Sequence, residues 1–146
     1  MTKAQFLAFS LPFGLFCQVL DKGNDPKFVK LSAVYNDGSC SFFDTVESDH
    51  GFESVKPLLR PLSDLTKEID HNGEKFVPID KILEEACFDL SKMNRDEINS
   101  YSNPILMPEL ISLTDALMLI EWHFDLAGLI ERDEAININN LVRFHY

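Results

Sequence analysis

Glu121, His123 and Asp125 carry the donor atoms of metal ligands and proton carriers, since imidazole and carboxylate are the usual donors and the usual general acids and bases. Their spacing opposes convergence. They lie in residues 113–130, where apolar side chains recur at helical intervals. On a helix, positions i and i+4 share a face while i+2 points roughly 160–200° away. Glu121 and Asp125 are therefore expected together on a polar sector, facing solvent, a cation or a basic partner. His123 falls beside Leu119, Leu126 and Ile130, as a hydrogen-bonded, partly buried imidazole. Arg60, between Leu59 and Pro61, has two readings: it recognises a carboxylate or phosphate, or it packs its stem on the core and pairs with an acid such as Asp64. Arg60, Asp64 and His123 are thus the polar candidates for a small-ligand or catalytic pocket. The segment His71-Asn72-Gly73-Glu74 is also polar, but the tolerance of Asn-Gly for positive φ accounts for it as a turn.

Phosphate-binding glycine loops, the paired-histidine zinc motif, the nucleophile elbow and the EF-hand loop are all missing from the sequence, so no catalytic residue, metal ligand or cofactor is assigned. Cys17, Cys40 and Cys87 form an odd set without C-x-x-C spacing. They read as reduced, apolar-packed thiols in a cytoplasmic protein rather than a disulfide or zinc framework. Residues 1–20 are too short and too broken by Gln5, Ser10 and Pro12 to span a membrane or to make a good signal peptide.

The elements that position these groups follow from periodicity. Thr2 to Phe9 reads as a short helix stopped by Pro12. Residues 15–20, 28–36 and 39–46 are rich in aromatic and β-branched side chains, with Asn36-Asp37-Gly38 as a hairpin turn, and predict a three-stranded antiparallel meander. Leu58, Leu62, Leu65 and Ile69, spaced four, three and four, predict a helix. A short strand near Glu74 and a second helix with Ile82, Leu83, Ala86, Cys87 and Leu90 on its inner face follow. Residues 91–111 lack periodicity apart from one helical turn near Arg95, and Ile136 with Ile138 suggests a last short strand.

Residues 113–130 are expected to be the longest helix, with Ser112 and Asp115 as its start signal and Leu113, Leu117, Ile120, Phe124 and Ala127 as its core stripe. Met118, Trp122, Leu126 and Leu129 then lie on a second apolar face. Either the rest of the chain or a second protein must cover it. The expectation is one α+β domain over residues 1–146: a small antiparallel sheet packed with two to four helices, strand-rich over 13–50, helix-rich over 57–130 and irregular over 91–111.

The chain has 146 residues, 24 acidic and 13 basic, a net charge of −11, and a length that suits one disulfide-free core. Residues 1–73 carry −3 of this and residues 74–146 carry −8. Binding through nucleic-acid phosphates depends on a surplus of Lys and Arg that is missing here, so direct nucleic-acid binding is disfavoured. Anionic membranes are disfavoured for the same reason, and basic protein partners are favoured.

Four stretches taken together carry a resemblance. They are Ser10-Leu11-Pro12-Phe13-Gly14-Leu15, Lys56-Pro57-Leu58-Leu59-Arg60-Pro61-Leu62-Ser63-Asp64-Leu65, Asn72-Gly73-Glu74-Lys75-Phe76-Val77-Pro78, and Glu121-Trp122-His123-Phe124-Asp125-Leu126-Ala127-Gly128-Leu129-Ile130. The set resembles a family of small proteins, without assigned activity, encoded by phages, prophages and mobile elements of gut bacteria. Arg132-Asp133-Glu134 departs from the Gly-containing turn expected there. The resemblance implies an accessory protein in a bacterial host and transfers no site residue. The leading expectation is a non-enzymatic protein that binds a basic or DNA-binding partner through its acidic half or the second apolar face. The alternatives are a ligand-binding domain or enzyme with a pocket between sheet and helices, and a homo-oligomeric assembly component.

Overall fold

Thr2 begins the first helix by accepting from the Gln5 amide, while the Gln5 side chain accepts from the Thr2 amide, so two of the orphan donors of α1 (Lys3–Ser10) are satisfied reciprocally. Pro12 then tightens the chain into a 3-10 turn, and Gly14 leaves it at φ 69°. The computed structural model describes residues 1–21, 25–45, 49–105 and 111–141. It is a single small α+β domain.

The meander forms as β1 (Phe16–Asp21), β2 (Asp25–Val34) and β3 (Ser39–Phe42), joined antiparallel, with β2 and β3 shifting register between Leu31 and Ala33. Alternation sends Cys17, Val19, Val29 and Leu31 into the core and leaves Phe28 and Lys30 exposed. Gly38, at φ 86°, turns β2 into β3. The sheet extends further than the three strands expected. β4 (His50–Gly51) pairs with β3, β5 (Lys56–Leu59) joins β1, and β8 (Ile136–Asn137) runs parallel to β5, giving a mixed sheet in the order β4-β3-β2-β1-β5-β8.

Residues 57–71 form no α-helix. Pro57 sits in β5 opposite Cys17, Pro61 is extended, Leu62–Thr66 is a 3-10 turn, and Ile69–His71 is β6, paired antiparallel with β7 (Glu74–Phe76). The leucines are inward as expected, but two prolines with extended backbone at Arg60 and Pro61 prevent one helix from connecting them. Asn72 and Gly73, both at positive φ, make the tight turn between β6 and β7. α2 (Pro78–Glu85) buries Ile82 and Leu83, but it stops before Ala86 and Cys87, which are exposed. α3 (Arg95–Ser100), capped by Asn94, is the helical turn expected near Arg95. Arg95 and Asp80 join α3 to α2 through an ion pair.

The largest departure concerns the last helix. α4 spans Leu113–Glu121, half the length expected, and starts where Ser112 accepts from the Asp115 amide. It stops because His123 takes φ 63°: the His123 amide donates to Ile120 (3.0 Å) and the Phe124 amide to Leu119 (2.9 Å), and the side chains of Leu119 and Phe124 are both fully buried in the core. That is the Schellman ending of a helix, with His in the place usually given to glycine. The expected core stripe is split: Ile120 and Phe124 lie in the core as expected and Ala127 packs against it, but the N-terminal part of the stripe does not. Leu113 is 75% exposed and Leu117 41%, whereas Trp122, Leu126 and Leu129 are in the core and Met118 packs against it. The face expected to need an outside cover is covered from within the chain.

Candidate functional site

Past α4 the chain is extended for two residues and lies parallel to the end of β5. The Arg60 amide donates to the His123 carbonyl (2.8 Å), and the Asp125 amide donates to the Arg60 carbonyl (2.9 Å). This bridge brings three of the chemistry-bearing residues together. Arg60 is buried; its Nε donates to the Trp122 carbonyl (3.2 Å) and its Nη2 to the Asp70 carbonyl (2.9 Å). The Trp122 carbonyl is one of the acceptors left over at the C-terminus of α4, where the helix dipole is negative, so the guanidinium acts there as a C-terminal cap.

His123 is buried and its Nε2 donates to the Phe13 carbonyl at 3.0 Å. A carbonyl only accepts, so in the neutral ring the proton is on Nε2. The His71 ring, carried into the same space by β6, meets His123 edge to face with centroids 5.0 Å apart and hydrogen-bonds to the Glu121 backbone. Burial, then the adjacent Arg60 charge, lowers the His71 pKa to about 4, against the pull of Asp70 and Glu74. Burial, then His71, then Arg60 lowers the His123 pKa to about 3. Both imidazoles are neutral at neutral pH beside a permanent cation. The cluster fastens four segments to one another: the turn after α1, the end of β5, β6 and the end of α4.

Asp64 is buried but turned to a different task. One carboxylate oxygen accepts from Asn139 Nδ2 (2.8 Å), and the other faces Lys67 at 3.4 Å. It pins the segment after β8 to the 3-10 turn after β5, while Arg60 is held by carbonyl oxygens rather than spent on Asp64. Asp125 does not stand beside Glu121 on a polar sector. It is buried, and its two carboxylate oxygens accept from the amides of Leu129 (2.8 Å) and Ile130 (2.9 Å), closing the turn that replaces the second half of the expected helix. Glu121 alone is exposed. Trp122 is 7% exposed and packs on Phe76 at a ring distance of 5.1 Å, with Lys81 Nζ 4.1 Å from the centre of the other ring. Met118, Trp122, Leu126 and Leu129 therefore do not form an open docking face.

His71 is the member of the cluster that the sequence reading passed over in favour of the turn beside it. Its signal was the alternation Ile69-Asp70-His71 ahead of Asn72-Gly73, which puts His71 on the buried face of Ile69 once that stretch is read as a strand. Among the described residues, no group of three His, Cys, Asp or Glu side chains is placed to hold a metal ion, and no helix is long and apolar enough to cross a membrane. Fold and site together define a small α+β domain with a cationic, imidazole-lined clasp between its sheet and its last helix. No family model, curated protein or solved structure matches the chain.

Proposed function

We propose that the chain is a non-enzymatic binding protein that engages a basic protein partner, as an accessory factor of a phage or mobile element in the cytoplasm of its bacterial host. The observation that carries this reading is the surface of α2 and α3. Residues 80–97 contain six acidic and three basic side chains, and Glu84, Glu85, Asp89, Asp96 and Glu97 are all exposed. Arg95 is engaged by Asp80, Lys92 approaches Asp89 and Lys81 pairs with Glu74, so all three cations are already taken up. Beside the acids stand Phe88 and Tyr101, both about two-fifths exposed and edge to face at 5.1 Å. Carboxylates around exposed aromatic rings suit Arg and Lys side chains, through ion pairs and through ring faces.

The commitment of Arg60, His71 and His123 to backbone acceptors and to one another also supports a binding role over chemistry at that cluster. The test is affinity capture from host lysate at low and at high salt. It compares the natural chain with the variant Glu84→Gln, Glu85→Gln, Asp96→Asn, Glu97→Gln. Basic proteins retained at low salt and lost both at high salt and with the variant are expected. A set of partners indifferent to both changes contradicts the reading.

A further inference from the structure

The outer face of the meander sets exposed aromatic rings beside lysines. Register places Phe16 opposite Lys30 and Gln18 opposite Phe28, all pointing away from the core that takes Cys17, Val19 and Val29. Gln18 is also opposite Lys56 on β5, so both cations on these strands' outer face point outward. Phe43, directly after β3, completes an open groove of about 590 Å³ lined by Phe16, Phe28, Lys30, Phe43, Lys27 and Asp44. Phe28 is 42% exposed and Phe43 55%. Lys27 Nζ donates to the Asp44 carbonyl at one rim, and Lys56 pairs with Asp133. Among the described residues Lys30 has no carboxylate partner; its ammonium lies 5.4 Å from the centre of the Phe16 ring.

We propose that this groove docks an acidic peptide segment of a partner protein, with an aromatic side chain of the segment packed between Phe28 and Phe43 and a carboxylate on Lys30. Exposed aromatic clusters supply binding energy at protein interfaces, and a neighbouring cation selects the sign of the partner. Other occupants fit less well. A basic segment would bring its charge against Lys30. A second copy stacked face to face would bring its own Lys30 against this one. A free small molecule needs an enclosing site, and this groove is open. The inference is independent of the basic-partner reading, which concerns a different surface.

The test is fluorescence anisotropy with a fluorescein-labelled peptide in which two Phe residues are separated and flanked by Glu. It is run beside one peptide with Lys in place of Glu and one with Ala in place of Phe. The expected result is binding of the first peptide only, weakened at least about tenfold by Lys30→Glu and by Phe43→Ala, each with unchanged thermal melting because both side chains are exposed. Phe28→Ser serves as a further variant should either of these melt early. Absence of binding overturns the proposal. So does equal binding of the Lys peptide, or binding indifferent to all the variants. Sedimentation showing a dimer that Phe43→Ala dissociates assigns the face to a second copy and overturns it as well.

Discussion

Acidification from about pH 7 to about pH 5 is expected to cost this domain much of its stability, through two side chains. His71 and His123 bind protons in the folded state only near pH 4 and pH 3, whereas in the unfolded chain they titrate near 6.5. For bases with a depressed folded pKa, the unfolded state takes up more protons as pH falls below 6.5. The stability they lend is complete above that value and is lost on the way down to pH 4 and 3. At about pH 5 each imidazole is about 1.5 units below its unfolded pKa and still neutral when folded, which costs about 2 kcal/mol apiece and about 4 kcal/mol for the pair. Domains of this kind have roughly 5–15 kcal/mol in total.

The assay is urea unfolding followed by the fluorescence of Trp122, the only tryptophan, which is buried against Phe76 next to the cluster. Repeated at intervals between the two pH values, it should show a falling midpoint with an unchanged denaturant slope. His123→Asn retains an amide donor for the Phe13 carbonyl and a residue type that tolerates φ 63°, so it should fold and show about half the pH dependence. A midpoint independent of pH across the interval, or an undiminished slope in His123→Asn, refutes the claim that these rings are held neutral in the fold.

Further expectations concern the end of α4 and the thiols. Phe124→Ala removes a fully buried ring at the Schellman ending and should cost about 3–5 kcal/mol by denaturant unfolding. Asp125→Ala leaves the Leu129 and Ile130 amides without their acceptor and should cost about 2–4 kcal/mol, with faster hydrogen exchange at those two amides as the local signature. A maleimide should label Cys87, which is exposed, at native pH. Cys17 and Cys40 should react only on unfolding, since burial raises the Cys17 pKa well above the ordinary value and pushes that of Cys40 up to about 11. Mass spectrometry of the labelled peptides reads this directly.

The α+β class, the meander, the hairpin turn at Gly38, the cap at Ser112 and the helical turn near Arg95 were legible because each rests on local chemistry: period-two alternation, turn residues, helical spacing, or a side chain reaching an amide three residues on. The segments that went wrong are those where a helical spacing arose without a helix. Leu58, Leu62, Leu65 and Ile69 keep intervals of four and three, yet Pro57 and Pro61 select extended backbone, and a short apolar run does not by period alone declare which structure it serves. In residues 113–130 the break at His123 carries no glycine or proline as a flag; Leu119, Phe124 and the Arg60 cap enforce it by tertiary contact. Once the helix stops there, the residues beyond it no longer follow the helical facing, which is why Asp125 became an internal cap. The clasp was half visible, as Arg60 and His123. Their meeting depends on a parallel bridge between residues more than sixty positions apart, which spacing cannot announce.

Backbone amide shift mapping by NMR, with an arginine-rich peptide titrated into the isotope-labelled chain, tests the central functional claim most directly. The account predicts salt-sensitive shifts concentrated in α2, α3 and the residues around Phe88 and Tyr101, with the amides near Arg60, His71 and His123 unmoved. Shifts converging on that buried cluster, or spread evenly over the molecule, would contradict it.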